Sequence, residues 1–185
     1  MILSILICTI PERLAMYQAL YSVIEKQIAL VGAFSEVEVL TDERTNLPTG
    51  TKRNYLLSIA KGEFVVFIDD DDEIHEHYVP IILETIKNNP QVDCIGMRGW
   101  VSFDGEKPKN WSISIQHGYW HETDEEYKRT PNHISPVKRN IAIQGKFPEI
   151  SYGEDLEYSK RIFPLLKTEA FIDKLMYHYK YVTNK

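Results

Sequence analysis

The chain carries the stretch FVVFIDDDD at residues 64–72. Five consecutive apolar residues without polar alternation indicate a strand buried on both faces, as in a parallel sheet covered by helices. Four adjacent carboxylates cannot belong to that core, because they repel one another unless a cation or hydrogen-bond donors compensate. Open α/β sheets bind ligands at the carboxyl ends of strands, and divalent cations share oxygen ligands with substrate phosphates. The stretch therefore predicts a metal and diphosphate site at residues 69–72; the alternative is an acidic surface loop.

An alternation of strand and helix repeats through the first 90 residues. Apolar runs predict strands at residues 2–8, 37–40 and 64–68, and apolar residues at helical spacing predict helices at 14–30, 52–60 and 79–86. The sequence TIPE at residues 9–12 fits a capping box for the first helix, and Gly62 fits the close of the second. Such alternation predicts a parallel, doubly wound sheet with right-handed crossovers.

The pattern changes after residue 90. A strand is predicted at residues 94–101 and an antiparallel partner at 111–115, followed by a polar, irregular segment at 119–136. A helix is predicted at 154–163, and short strands or turns at 171–172 and 175–177. We therefore expect a single α/β domain over residues 1–185, with a nucleotide-binding half at 1–90 and an acceptor and catalytic half at 91–185. The C-terminal part is expected to be small and antiparallel or irregular.

Composition narrows the class of protein. A length of 185 residues suits one domain with a full core, and 43% hydrophobic with 26% charged residues is typical of a soluble globular chain. A net charge of -6 argues against a nucleic-acid partner held by phosphate contacts. Cys8 and Cys94 lie in apolar stretches, which favours buried free thiols. No signal peptide and no stretch of membrane-spanning length is recognisable, so we expect a cytoplasmic protein without a membrane span.

Five short segments form a recognisable pattern when they are taken together in chain order. They are SILICTIPER at 4–13, Asp42 at the end of the second strand, TKRN at 51–54, FIDDDD at 67–72 and GED at 153–155. In order and spacing they resemble glycosyltransferase family 2, whose nucleotide-sugar-binding fold is called GT-A. The resemblance covers most of the chain and is strongest at residues 1–73 and 152–161. It implies a Rossmann-like, mostly parallel central sheet flanked by helices.

The donor site implied by the resemblance is a nucleotide-sugar pocket. The loop after the first strand resembles the one that touches base and ribose, Asp42 matches the usual base contact, and residues 51–54 resemble the segment that lines the diphosphate. Cations near strand ends and helix N-termini are also suited to phosphate on chemical grounds. The predicted nucleotide-sugar-binding residues are Thr9, Pro11, Arg13, Asp42, Lys52, Arg53, Asn54, Asp69, Asp70 and Asp72.

The resemblance also implies a divalent cation, Mn²⁺ or Mg²⁺. Asp71 corresponds to the last aspartate of the Asp-x-Asp motif and is the expected direct ligand. Asp69 would hold the ribose or reach the metal through water. His178 resembles a late histidine that ligates the metal in many members, and His133 is a rival for that role. The alternative for His178 is a partly buried histidine between tyrosines.

The Glu-Asp pair at 154–155 resembles the motif that supplies the base in inverting members. A base must lie within hydrogen-bond reach of the acceptor hydroxyl, so Asp155 is the expected general base and Glu154 its positioning neighbour. The alternative is that both acids merely stabilise a helix N-terminus, an effect of about 0.3–1 kcal/mol.

The predicted function is a metal-dependent transfer of a hexose from a UDP-sugar to a hydroxyl acceptor, with inversion. The sequence leaves three classes of acceptor open: a glycan, a lipid-linked sugar or a protein. One alternative is a sugar-phosphate nucleotidyltransferase, although a glycine-rich, lysine-bearing loop is missing after the first strand. Another is a non-catalytic nucleotide-sugar-binding module, which the short length favours.

Overall fold

The computed structural model describes residues 1–183. Its five α-helices are α1 Leu14–Leu30, α2 Thr49–Ile59, α3 Tyr78–Asn88, α4 Arg139–Gly145 and α5 Glu154–Ile162. Its strands are β1 Leu3–Cys8, β2 Val37–Asp42, β3 Phe64–Phe67, β4 Glu73–Ile74, β5 Cys94–Phe103, β6 Glu106–Ile113, β7 His121–Glu122, β8 Glu126–Arg129, β9 Val137–Lys138 and β10 Glu169–Tyr181.

The strands form one sheet with the order β2-β1-β3-β9-β5-β6-β8-β7, and β10 pairs with β5 and β4. Strand β1 runs parallel to β2 and β3, and β10 runs parallel to β5 along most of its length. The short strand β9 is antiparallel to both β3 and β5 and joins the two parallel groups. The mostly parallel α/β sheet flanked by helices is thus confirmed, with an antiparallel pair at β5 and β6.

Both faces of the central strands are buried. In β3, Val66 packs into a core with residues of α1 and α3, whereas Val65 and Phe67 pack on the opposite face with residues of α2, α4 and α5. The same alternation divides β1, where Ile5 faces the first core and Leu6 the second. The unbroken apolar run at residues 64–68 arises because both faces of the sheet carry helices, as predicted.

The C-terminal strand differs from the expectation. Residues 171–172 and 175–177 are not separate short elements but parts of the 13-residue strand β10. Its register against β5 shifts between Ile172 and Leu175 and again between Leu175 and Tyr177. These irregularities break the two-residue period on which recognition of a strand depends. The polar segment at 119–136 likewise contains β7 and β8, and β8 pairs in parallel with β6.

The predicted capping box at residues 9–12 is wrong. Residues 11–13 form a short 3₁₀ turn without a side-chain cap, and the hydroxyl of Thr9 donates to Asp70 instead. Helix α2 begins at Thr49 and its last helical residue is Ile59, so Gly62 does not cap it. A side chain at Gly62 would instead collide with the backbone of β1, because a Cβ there would lie 2.5 Å from the amide nitrogen of Ser4.

Two further expectations concern thiols and membranes. Cys94 is a buried free thiol as predicted, and Cys8 is free but only partly buried. Across residues 1–183, none of the helices combines the length and the apolar character that a bilayer crossing requires.

Candidate active site

The acidic loop, residues 69–72, follows β3 at the carboxyl edge of the sheet. Leu6 pairs with Phe67, so the parallel register brings the residues after β1 beside the loop. The four carboxylates have different surroundings: Asp70 and Asp72 are buried, whereas Asp69 and Asp71 are partly exposed. Their mutual repulsion is therefore offset locally, by separate sets of hydrogen-bond donors and cations.

Asp70 is held by the loop after β1. The Thr9 hydroxyl donates to its Oδ2 at 2.7 Å and Arg13 Nη1 donates to its Oδ1 at 3.0 Å. Arg13 Nη1 also lies 3.3 Å from Asp71 Oδ2. Burial raises the pKa of Asp70 against the opposing effect of Thr9 and Arg13. Arg13 thus anchors two aspartates of the acidic loop, and it also brings a positive charge to the cavity next to that loop.

Asp69 lies between a cation and a histidine. Arg53 Nη2 is 2.9 Å from its Oδ1, and His133 Nε2 is 3.2 Å from its Oδ2. Burial alone would raise the pKa of Asp69, but His133 and Arg53 outweigh it and hold that pKa well below the usual range. His133, which had no sequence spacing to mark it, is the residue that the fold brings onto this carboxylate.

Arg53 joins the acidic loop to helix α5. Its Nη1 donates to Glu154 Oε1 at 2.9 Å while Nη2 holds Asp69, and only 4% of its side chain is exposed. Phe67 and Phe147 flank the guanidinium, which lies 5.5 and 5.4 Å from their ring centres. Burial raises the pKa of Glu154, and the charge of Arg53 opposes that rise. Both terminal nitrogens of Arg53 are therefore already bound to carboxylates.

Asp72 is fixed by strand β10. Tyr177 donates its hydroxyl to Asp72 Oδ2 at 2.9 Å, and the Lys180 amide donates to Oδ1 at 2.8 Å. The same Tyr177 oxygen accepts the Asp69 amide at 3.1 Å. Burial and the nearby charge of Asp69 raise the pKa of Asp72 well above its ordinary value. Asp72 thus anchors the loop to the C-terminal strand.

A cavity of about 350 Å³ opens between the acidic loop, the loop after β1 and the start of α2, and it is named the donor-side cavity after the predicted binding residues on its wall. Five of the predicted binding residues line it, and Asp71 lines it as well. Lys52 Nζ also donates to the backbone oxygen of Thr9 at 2.6 Å. The predicted residues on its wall are Thr9, Arg13, Lys52, Asp69 and Asp70. Pro11, Asp42, Arg53, Asn54 and Asp72 do not line this cavity.

Two of those outlying residues have partners elsewhere. Asp42 accepts hydrogen bonds from the amide and the Nε of Arg44 at 3.1 and 3.0 Å. Burial alone would raise the pKa of Asp42, but the bonds from Arg44 outweigh it and lower that pKa. Asn54 exchanges two hydrogen bonds with the backbone of Phe147, at 2.8 and 2.9 Å.

His178 has protein partners at both ring nitrogens. Nε2 lies 2.8 Å from Ser102 Oγ and Nδ1 lies 3.0 Å from Glu73 Oε2, while the ring stacks on Trp100 with centroids 3.4 Å apart. Within residues 1–183, no three His, Cys, Asp or Glu side chains are grouped as a ready-made metal site. Asp69 and Asp71 do fit the mode in which one or two carboxylates and substrate phosphates share a cation.

A second cavity, of about 360 Å³, shares Tyr179 with the first and is named the acceptor-side cavity after the predicted base on its wall. Asp155 lines it from the first turn of α5, which begins after Gly153 in a left-handed conformation (φ +77°). His133 lines it as well, and Tyr179 lines both cavities. Its aromatic walls include Trp111, Trp120 and Tyr127. The predicted base and the predicted donor residues thus face two adjoining cavities.

Comparison with solved structures finds proteins with the same fold. S. aureus TarS 1-349 in complex with UDP-GlcNAc superposes with a TM-score of 0.71 at 18% identity, covering 100% of this chain and 60% of that one. S. aureus TarS superposes with a TM-score of 0.68 at 16% identity, covering 97% and 37%. At such identities the likeness establishes the fold. The chain spans 37% to 60% of the length of these TarS chains.

Comparison with curated proteins gives no match. The sequence profile described as Glycosyl transferase family 2 matches residues 22–146, which is more than half of the chain and includes the acidic loop. The chain therefore belongs to glycosyltransferase family 2.

Proposed function

We propose that the protein transfers a hexose from a UDP-sugar to a hydroxyl acceptor, with a divalent cation and with inversion at the anomeric carbon. One observation carries the proposal. The acidic loop and the loop after β1 both line the donor-side cavity, Asp155 lines the acceptor-side cavity, and Tyr179 forms part of both walls. A donor in the first cavity would present its sugar toward an acceptor hydroxyl in the second.

The donor side supports an anionic nucleotide. Arg13 and Lys52 bring positive charge to a cavity whose other wall is acidic. This positive charge is local, because the chain as a whole has a net charge of -6. A bound Mn²⁺ or Mg²⁺ would supply Lewis-acid stabilisation of the departing diphosphate. Asp69 and Asp71 are the residues that would hold it, with phosphate oxygens of the donor completing its ligands. The complex of S. aureus TarS 1-349 with UDP-GlcNAc supports UDP as the nucleotide.

The acceptor side supports Asp155 as the base. A carboxylate at the cavity wall can take the proton of the acceptor hydroxyl as that oxygen bonds to the anomeric carbon and the UDP oxygen leaves. Attack from the face opposite UDP inverts the anomeric carbon. Glu154 is bound to Arg53, which also binds Asp69, so Glu154 acts as a positioning residue that fixes the spacing of base and donor.

Two free cysteines suit a reducing compartment, and we place the reaction in the cytoplasm.

The test combines binding and turnover. Calorimetry would measure UDP and UDP-GlcNAc binding with and without Mn²⁺, and an assay of UDP release would follow transfer to acceptors or water. We expect Asp71→Ala to lose metal-dependent UDP binding. We expect Asp155→Asn to keep UDP binding and lose about 10²–10⁴-fold in UDP release, the range for a general base. Asp173→Asn, at an exposed pair with Arg98, is the matched control.

The alternatives give different results. Absence of nucleotide binding under every metal condition would overturn the proposal. Binding without any UDP release would favour the non-catalytic module, and release of pyrophosphate from UTP and a sugar phosphate would favour the nucleotidyltransferase. NMR of the first-formed product reports its anomeric configuration, and retention would exclude the single displacement.

A further inference from the structure

The acceptor-side cavity contains a cation, Arg129, that the proposed reaction does not use. Arg129 is the last residue of strand β8 and is half-buried. It lines the cavity together with Asp155. Its guanidinium carbon lies 5.0 Å from the ring centre of Trp120 and 4.9 Å from that of Tyr127. Its Nη1 donates to the backbone oxygens of His121 and Lys128, at 3.0 and 3.1 Å. The aromatic rings and the β7–β8 hairpin therefore fix the guanidinium at the cavity wall.

Within the described part of the chain, this guanidinium forms no ion pair with a carboxylate. Among residues 1–183, no Asp or Glu oxygen lies within 4.0 Å of an Arg129 nitrogen, although Asp155 lines the same cavity. Arg13, the arginine of the donor-side cavity, is by contrast paired with Asp70 and Asp71. Burial lowers the pKa of Arg129, and the charges of Tyr127, Glu122 and Asp155 oppose that effect only in part. A half-buried cation without a counter-ion is costly unless a ligand supplies one.

The remaining wall indicates what kind of molecule would supply the anion. Trp111, Trp120 and Tyr127 contribute aromatic rings to the wall, and Asn132 and His133 contribute polar groups to the same cavity as Asp155. A pocket of about 360 Å³ with aromatic walls and a few converging polar groups suits a small ligand or one unit of a larger one. Sugar rings present both an apolar face and several hydroxyls, so they match this mixture.

We infer that the acceptor is an anionic sugar, whose phosphate or carboxylate binds Arg129 while its reacting hydroxyl faces Asp155. Guanidinium groups bind phosphate and carboxylate through paired N–H donors, so either anion fits. This inference rests on the proposed transferase function and specifies its acceptor class. Arg129 is then a specificity-determining residue, because a neutral sugar would leave its half-buried charge without an anionic partner.

The experiment compares neutral and anionic sugars of the same shape. Tryptophan fluorescence would follow titration with glucose, glucose 6-phosphate and glucuronate, and with N-acetylglucosamine and its 6-phosphate, each with and without saturating UDP and Mg²⁺. Saturating UDP fills the donor-side cavity, so anion binding that remains belongs to the acceptor side. We expect the anionic member of at least one pair to bind about tenfold or more tightly than the neutral sugar, the effect of a hydrogen bond to a charged group.

Three variants locate the effect. Arg129→Gln should abolish the preference for the anion while retaining the affinity for the neutral sugar, which also shows that the variant is folded. Arg129→Lys, which keeps the charge but not the paired donors, should retain part of the preference. Arg98→Gln, which removes an exposed arginine paired with Asp173 outside the cavity, should change nothing.

The titrations with different sugars distinguish the possible outcomes. A preference confined to phosphosugars identifies phosphate, and one confined to glucuronate identifies carboxylate; both support the inference. Equal affinities in every pair, no saturable binding of any anionic sugar, or a preference that survives Arg129→Gln would overturn it. Failure of the proposed function is detected separately, as loss of UDP binding and UDP release in the unaltered chain.

Discussion

Arg53 shows how a single side chain can connect the two halves of a site. Its guanidinium spans from Asp69 at the end of β3 to Glu154 at the start of α5, two residues that lie far apart in sequence. The arginine and Glu154 are almost fully buried, so their ion pair is shielded from water, whereas Asp69 is 29% exposed and also contacts His133. Glu154 therefore depends most on this cation, because an unpaired buried charge is strongly unfavourable.

Replacement of Arg53 by Met should therefore lower the free energy of unfolding by about 3–5 kcal/mol, the cost of breaking a buried pair from one side. Urea unfolding followed by circular dichroism measures the change. Arg98→Met is the control, because its partner Asp173 is 76% exposed, and such surface pairs contribute at most about 1 kcal/mol. Equal losses in the two variants would contradict the buried ionic bridge.

Asp93 allows a test by pH at a position outside the two cavities. It precedes β5, and its Oδ2 accepts the amides of Lys167 and Thr168, just before β10, at 2.8 and 3.0 Å. Burial alone would raise the pKa of Asp93, but these amides outweigh it and lower that pKa. A carboxyl with a depressed folded-state pKa adds stability above its unfolded pKa of about 3.9, and that stability is lost as pH falls through the folded value.

Asp93→Asn should consequently be less stable than the unaltered chain at pH 7, and the difference should shrink as pH falls below about 4. Thermal unfolding of both proteins between pH 2.5 and 7 gives the comparison. Asp173→Asn, which lacks such amide donors, should show little difference at any pH. A gap for Asp93→Asn that stays constant down to pH 2.5 would argue against the charged form as its cause.

At the scale of elements, the close packing of β5 between β6 and β10 depends on Gly99. A Cβ at this position would overlap the Trp111 ring from β6 and the Tyr177 carbonyl from β10. The side of β5 at Gly99 thus has no room for even a methyl group. Tyr177 is also the residue that anchors the acidic loop, so the packing and the site are mechanically connected.

Gly99→Ala should lower stability by about 1–3 kcal/mol, the usual cost of overpacking, and should do so through a shift of β10. The melting temperature measures this loss. Gly105→Asn serves as the control: this turn residue has φ +82° and a Cβ added to it would meet no atom within 4 Å, so the change adds backbone strain but no collision. A melting temperature for Gly99→Ala no lower than that of the control would contradict the crowded contact.

For the whole molecule, the sheet separates two cores, and β1 contributes to both. Ile5 and Leu6 are each 0% exposed but face opposite sides of the sheet.

Ile5→Ala and Leu6→Ala should each lower the free energy of unfolding by about 2–5 kcal/mol. The double variant should show the sum within about 0.5 kcal/mol, because the two side chains share few partners. Val23→Ala, at a site 39% exposed, should change stability little. Guanidinium unfolding of all four variants checks this, and a negligible effect at Ile5 or Leu6 would mean a one-sided sheet.

The parts of the fold that local patterns specify could be predicted from the sequence. Apolar runs and helical spacing located β1, β3, α1 and α3, because burial on both faces leaves a signal in adjacent residues. The irregular strand β10 could not be recognised, since its register shifts disrupt the period of two. The role of Thr9 could not be recognised either, because a hydroxyl near a helix start can serve a local cap or a distant carboxylate, and only the tertiary structure decides between them.

The site was predictable to a similar degree. Adjacent carboxylates indicated the acidic loop, and Glu154 and Asp155 followed from a family motif. The contact of His133 with Asp69 and the position of Arg129 in a cavity depend on how distant segments meet, so no spacing in the sequence reveals them.

The attachment of Asp72 to Tyr177 and to the Lys180 amide has a consequence for biosynthesis. A ribosome makes Asp72 more than 100 residues before Tyr177 and Lys180, the β10 residues that support it. A nascent chain arrested after residue 165 could already pair β1, β2 and β3, yet its loop would lack both contacts from β10. Asp72 therefore gains its support late in synthesis, whereas the residues that hold Asp70 are made before it, and a product terminated before β10 would lack the contacts that fix Asp72.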